Sequence, residues 1–268
     1  MRKFYSDEEV NIQKESALLV SKTLKMLAEE IKEGMSTLKM DELAEAFIRD
    51  HGAVPSFKGY GEPGNEFPYS LCISVNDAVV HGFPSNYEVR PGDVLSIDCG
   101  VYKNKFHGDH AYTFIVGEAE QEVKDLVDRT KASLYLGIEQ AVLGKRVGDI
   151  GFAIENATFG KYKYGVVREL VGHGVGRNLH DDPQIPNYGR RGSGKRLKEN
   201  MILAIEPMIN LGTRHIYTDK DGWTIRTVDG KPSVHFEHNV CVKKDKALIL
   251  SDFSIIEEAE KKNPYLYT

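Results

Sequence analysis

Four acidic residues stand at matched points of the chain, each beside an alternating apolar run. Asp98 ends the run Gly92-Asp93-Val94-Leu95-Ser96-Ile97-Asp98, and Glu206 ends Asn200-Met201-Ile202-Leu203-Ala204-Ile205-Glu206. Each run is a turn residue, a strand and a carboxylate, and the two lie 108 positions apart. A His-Gly pair precedes each strand, His81-Gly82 and His173-Gly174, and an acid-His pair follows each, Asp109-His110 and Glu237-His238.

Side chains alternate along a strand, so Asp98 shares a face with Ser96, Glu206 with Ala204, Asp109 with Ala111 and Thr113, and Glu237 with Asn239 and Cys241. Leu95, Ile97, Leu203 and Ile205 point the other way, toward covering helices. Four carboxylates on one face, above small neighbours, leave room for a ligand, and they repel one another unless positive charge neutralises them. Two divalent cations match that charge and still accommodate a bridging water or hydroxide. A single imidazole among oxygen donors is a hard set that favours Mn, Fe or Co, with Zn admissible. Cations about 3.5–4 Å apart can stabilise both an attacking hydroxide and the oxyanion formed from a carbonyl.

Singly, an acid at a strand end is most often a solvated turn residue or a helix cap. The duplication reverses that reading, because solvated ends have no reason to recur at matched points. His173 lies between Gly172 and Gly174, and such glycines signal a close backbone approach. His110 and His238 directly follow acids, so they point to the opposite face and read as structural. Gly172-His173-Gly174-Val175-Gly176 lacks both the dinucleotide glycine spacing and the Lys-Ser ending of a phosphate loop.

These groups need a scaffold. Ala17, Val20, Leu24, Leu27 and Ile31 recur at helical spacing, predicting a helix over about 8–33 that ends near Gly34. A second helix, capped by Ser36 or Thr37, carries Met40, Leu43, Ala44 and Phe47 and stops at Gly52. LCISV, DVLSIDC and AYTFIV then read as strands. The programme restarts with a long helix over about 119–143 ending at Gly144, then a shorter one capped by Asp149, and strands after 164. The chain thus reads as a duplicated α/β (α+β) domain over 1–268, with halves of about 1–118 and 119–268.

A chain of 268 residues with 41% hydrophobic content can bury a sizeable core. Its formal charge of -5 argues against DNA or an anionic membrane as partner. The opening MRKFYSDEEV has no apolar leader core, and no run approaches the ~20 residues of a spanning helix. Cys72, Cys99 and Cys241 are far apart and read as reduced, buried thiols of a cytoplasmic protein. The run Arg190, Arg191, Lys195, Arg196, Lys198 reads first as a solvated loop, with transient ribosome contact a secondary expectation.

In order along the chain, AVVHGFP, RPGDVLSIDCG, FHGDHAYTFIVG, GHGVGRNLHDDPQIPNY, ILAIEPMI, DGWTIRT and HFEHNV resemble the type I methionine aminopeptidases over nearly the whole length. The resemblance implies the two-half pita-bread fold, with a central antiparallel-rich sheet covered by helices on one face. It implies removal of the N-terminal methionine of nascent polypeptides by a cytoplasmic monomer. It also implies Asp98, Asp109, His173, Glu206 and Glu237 as metal ligands, with Asp109 and Glu237 bridging two ions. Glu206 would also carry the proton of the bridging water, His180 would contact the scissile carbonyl, and His81 would lie near the amide nitrogen. Tyr60, Phe67, Cys72, Leu179 and Trp223 would form the pocket for the first side chain. The chain departs from the common pattern in a longer segment, GEPGNE, between Tyr60 and Phe67, and in Phe57 and Leu179, where cysteine and phenylalanine are common. An Xaa-Pro peptidase of the same fold normally has an extra N-terminal domain. Type II relatives carry an insertion that is absent between Glu206 and Glu237. Relatives that have lost their metals would have replaced several ligands.

Overall fold

The computed structural model describes residues 4–268; the first three residues of the charged opening lie outside the described residues. Helix α1 (Asp7–Glu30) starts with a reciprocal cap: the Glu9 amide donates to the Ser6 hydroxyl, and the Ser6 amide donates to the Glu9 carboxylate. Asp7, Glu8 and Glu9 in its first turn oppose the positive end of the helix dipole. The helix stops short of the expected 33 because the Gly34 amide bonds to Val89 O at 2.8 Å, drawing the chain aside. Ser36 caps α2 (Thr37–Asp50) by accepting from the Lys39 amide.

In the second half α3 spans Gln121–Ile138 and α4 Val147–Glu155. The expected helix over 119–143 is too long at its end. Ala141 is buried, but the chain there pairs with Lys243, Leu143 donating to its carbonyl at 2.9 Å, so tertiary pairing replaces the last helical turn. Asp149 is not the cap of α4. It lies inside the first turn, and its carboxylate accepts from the amides of Arg146 and Gly192, both at 2.8 Å. A short helix α5 (Ser254–Glu260) packs against α1.

The strands that position the acids are β1 (Leu71–Val75), β2 (Val94–Lys103) and β3 (Phe106–Ile115) in the first half. In the second they are β4 (Gly172–Gly174), β5 (Asp181–Ile185), β6 (Ile202–Ile205), β7 (Ser233–His235) and β8 (His238–Cys241). β2 pairs antiparallel with both β1 and β3, and β6 with both β4 and β8. Both matched turn residues have a positive φ, +94 at Gly92 and +58 at Asn200, which glycine and asparagine tolerate best.

One large core joins the helices to the sheets. Leu24 and Leu27 of α1, Met40 of α2, Leu126 and Leu134 of α3 and Ile150 of α4 are buried with Leu95, Ile97, Leu203 and Ile205. Full burial of each such side chain contributes roughly 1.5–3 kcal/mol. A smaller cluster places Val10 and Ala17 of α1 against Ile202, Ala204 and Cys241.

The halves are stitched where the acids meet: the Glu237 amide donates to Ala111 O at 3.0 Å, and the Asp109 amide to Asn239 Oδ1 at 2.8 Å. Behind the sheet, His110 Nε2 meets Ser21 Oγ at 2.9 Å and His238 Nδ1 meets Ser251 Oγ at 2.7 Å, in keeping with structural roles. All three cysteines are buried free thiols. No helix among the described residues is long and apolar enough to cross a membrane.

Candidate metal centre and substrate cavity

His173 enters the site across the β4–β6 pair, opposite Ala204. Its flanking glycines are required by space: a Cβ on Gly172 would lie 2.4 Å from Ala204 O, and one on Gly174 2.5 Å from Asp182 O. Nδ1 of His173 donates to Gly174 O at 3.0 Å, since a carbonyl only accepts. Nε2 therefore presents a lone pair, 3.4 Å from Glu206 Oε1 and 3.8 Å from Asp109 Oδ2.

Asp98, Asp109 and Glu237 bring one oxygen each within 4.8 Å of one another, and His173, Glu206 and Glu237 form a second such trio. Glu237 belongs to both. A third trio, Asp109, His173 and His180, meets the same spacing. Asp98 Oδ1, Asp109 Oδ1 and Glu237 Oε1 are buried without a hydrogen-bond partner. Leaving such groups unsatisfied costs about 1–3 kcal/mol each, more when charged. Burial pushes the Asp98 carboxyl up to about 7 and holds those of Asp109, Glu206 and Glu237 well above the ordinary range, the neighbouring acids adding to the rise in these three. Burial lowers His173 to about 3. A neutral imidazole lone pair facing crowded, unsatisfied carboxylates is a donor set that fits divalent cations.

A cavity of about 500 Å³ opens over these groups, and its lining includes the five candidate ligands, His81, His180 and the expected pocket residues Tyr60, Phe67, Cys72, Leu179 and Trp223. Phe67, Cys72 and Leu179 form a buried cluster with Phe57, edged by Trp223, whose ring meets that of Phe67 edge to face at 5.3 Å. Phe57 and Leu179, two of the three departures from the common pattern, thus sit in the apolar wall itself. The longer segment does not fill the cavity. The Phe67 amide donates to Tyr60 O at 2.7 Å, and Gly61–Glu62 pairs with Asn65–Glu66 as a small hairpin beyond that closure.

His81 adopts φ +57, unusual for a side-chain-bearing residue, and Gly82 follows because a Cβ there would lie 2.4 Å from Ile73 O. Burial lowers His81 to about 4, the nearby His180 adding to the effect, and burial lowers His180 as well. Both are neutral donors or acceptors near pH 7.

Sequence reasoning missed His235, Asn187 and Asn239. His235 Nε2 is buried without a partner, 3.8 Å from Glu206 Oε2, too far for a hydrogen bond. Its position two residues before Glu237 was the available signal. Asn187 donates to Glu206 O at 2.9 Å and so steadies that acid, and Asn239 receives the Asp109 amide. Neither amide stands near its partner in sequence.

Residues 11–244 match metallopeptidase family M24. The chain is 46% identical over 234 residues to methionine aminopeptidase 1 of Bacillus subtilis, covering 87% of this chain and 92% of that protein. It is 44% identical over 247 residues to the methionine aminopeptidase of Clostridium perfringens, covering 92% and 97%. The crystal structure of methionine aminopeptidase from Thermotoga maritima superimposes with a TM-score of 0.90 at 37% identity, covering 94% of this chain and 100% of the other. The pita-bread fold follows from that superposition. Identity of this extent, sustained over most of both chains, sets aside the proline-directed alternative: the chain belongs to metallopeptidase family M24, in its methionine aminopeptidase branch.

Proposed function

We propose that the chain removes methionine from nascent polypeptides with a small second residue, at a centre of two divalent cations held by Asp98, Asp109, His173, Glu206 and Glu237. The observation that carries this reading is the set of buried, unpartnered oxygens on Asp98, Asp109 and Glu237. Asp109 and Glu237 would be shared by the two ions, with Asp98 completing one set of ligands and His173 with Glu206 the other. Mn, Fe or Co suits this donor set, and Zn is accommodated. When bound, the cations supply Lewis acidity that polarises the carbonyl and makes water acidic near neutral pH.

The protein's own groups do the rest. Phe67, Cys72, Leu179 and Trp223 receive the methionine side chain, whose thioether gains from the aromatic edges. His180 donates to the scissile carbonyl oxygen as charge develops there. Glu206 takes the proton of the attacking water and returns it to the departing amine, with His81 beside that nitrogen. A bulky second side chain crowds these groups, and each methylene of misfit costs ~1–3 kcal/mol. The activity belongs where nascent chains are made, in the cytoplasm, and to one catalytic domain built from both halves.

The test is kcat/KM across Met-Gly, Met-Ala, Met-Leu, Met-Pro and Xaa-Pro peptides, with an N-acetylated control and assay of bound metal. Methionine release confined to free amino ends and small second residues is expected. Equal cleavage of the acetylated peptide would overturn the reading, as would a metal content below one ion per chain in active protein.

A further inference from the structure

Tyr60 lies on the cavity, yet it takes no part in the buried wall of Phe57, Phe67, Cys72 and Leu179. It is 41% exposed, and its hydroxyl sits 2.5 Å from Nδ1 of His180, the two rings meeting edge to face at 5.0 Å. We propose that Tyr60 is a positioning residue whose hydroxyl donates to Nδ1 of His180 and fixes the imidazole in the tautomer bearing its hydrogen on Nε2. This inference rests on the reading of His180 as donor to the substrate carbonyl.

A neutral imidazole has one donor nitrogen and one acceptor nitrogen. If Nδ1 donated to the phenol, Nε2 would hold a lone pair and could not donate to a carbonyl oxygen. A phenol that gives its hydrogen to Nδ1 removes that choice and leaves Nε2–H as the ring's donor.

The extra segment after Tyr60 holds this arrangement. Tyr60 and Phe67 close the hairpin by a backbone bond, so the hydroxyl is braced against the buried wall. At the far side Gly61, with φ +126, passes beneath Trp223: a Cβ there would lie 2.7 Å from Asn65 O and 3.0 Å from the indole ring. The segment Gly61–Glu66 therefore acts as a strut between the pocket wall and the indole, with Tyr60 at its foot.

The test uses the full zinc-loaded chain. Long-range proton–nitrogen NMR of the imidazoles, with the His180 signals identified by their loss in His180→Asn, reads the tautomer directly. The expected result is an unprotonated Nδ1 and a protonated Nε2 in the parent, shifting toward a mixture in Tyr60→Phe. On a Met-Ala peptide, Tyr60→Phe should lower kcat roughly 3- to 10-fold, the size of one neutral hydrogen bond, with KM and bound metal unchanged. In a His180→Asn background it should cost nothing further. Gly61→Ala, which keeps the hydroxyl but displaces the strut, should shift the spectrum the same way by less. A protonated Nδ1 in the parent, a rise in KM alone, or additive losses with His180→Asn would overturn the proposal. Absence of methionine release by the parent would instead sink the functional reading, because the tautomer is read without turnover.

Discussion

The two halves of the molecule hold their acids by different means. In the first, Asp98 and Asp109 lie inside an unbroken hairpin, β2 and β3 pairing residue by residue from Val94 with Ile115 to Lys103 with Phe106. In the second, Glu206 and Glu237 stand just beyond the ends of four-residue strands whose pairing finishes at Ile205 with His238. Their places are set by bonds from elsewhere: Asn187 to the Glu206 carbonyl, and the Glu237 amide to Ala111 of the first half. A long ladder fixes its own register, whereas short strands borrow theirs from neighbours. The first half carries its acids on its own ladder, and the two halves are tied to each other at Asp109 and Glu237.

The largest effect should come from removing one assigned bridging acid from each half. Asp109→Ala and Glu237→Ala should each reduce turnover by ~10² or more, with loss of bound metal and retention of the fold. Both keep the backbone bonds that join the halves, so circular dichroism should stay unchanged. Either variant retaining more than roughly a tenth of the parent's activity at saturating metal would break the assignment of a shared centre.

Next in size is the response to pH and metal. The raised carboxyls contribute stability to the metal-free protein that is present below about pH 4 and lost as pH rises through 7 and beyond, while the lowered imidazoles of His81, His173, His180 and His235 act in the opposite sense up to about pH 6.5. A divalent cation at a thousand times its Kd adds about 4 kcal/mol, or on the order of 10 °C in Tm. That increment should be larger at pH 8 than at pH 5.5, because protons compete for the same oxygens. Thermal melts with and without chelator at both pH values check this; an equal shift at both would contradict the protonated cluster.

The smallest effects separate scaffold from site. A Cβ on Gly108 of the first half would lie 2.3 Å from Ala17 N in the backbone of α1. On Gly172 of the second it would meet Ala204 O at 2.4 Å and the Glu206 side chain at 3.3 Å. Gly108→Ala should cost ~1–3 kcal/mol of stability with kcat little changed, whereas Gly172→Ala should lower kcat as well. Denaturant melts and kinetics on both variants sharpen the comparison, and identical profiles would erase it.

Much of this was legible because the signals are local. The cap at Ser36, the apolar periodicity of α1 and α2, and the turn residues Gly92 and Asn200 each follow from a few adjacent residues. The acids were legible for another reason: duplication wrote the same pattern twice, and alternation told which face each side chain shares. What escaped was long-range. The last turn of the expected helix over 119–143 yields to pairing with Lys243, which no nearby residue announces. Tyr60 was placed in the pocket by the family resemblance, and it lines the cavity, but its bond to His180, 120 positions on, had no local signal.

The start of α1 has a consequence for synthesis on the ribosome. Tyr5, Asp7 and Glu9 are tied to Asn200, Lys243 and Arg177, while farther along the same helix Gln13 and Ser16 bond to carbonyls of residues 103–107. As the chain emerges, the middle of this helix meets its partners when the first hairpin appears, but its opening turn waits until residue 243 is free. At ~5–20 residues per second that delay spans several seconds to tens of seconds. Through that interval Val10, beside the opening turn, lacks the cluster it shares with Ile202 and Cys241, which only the later strands supply.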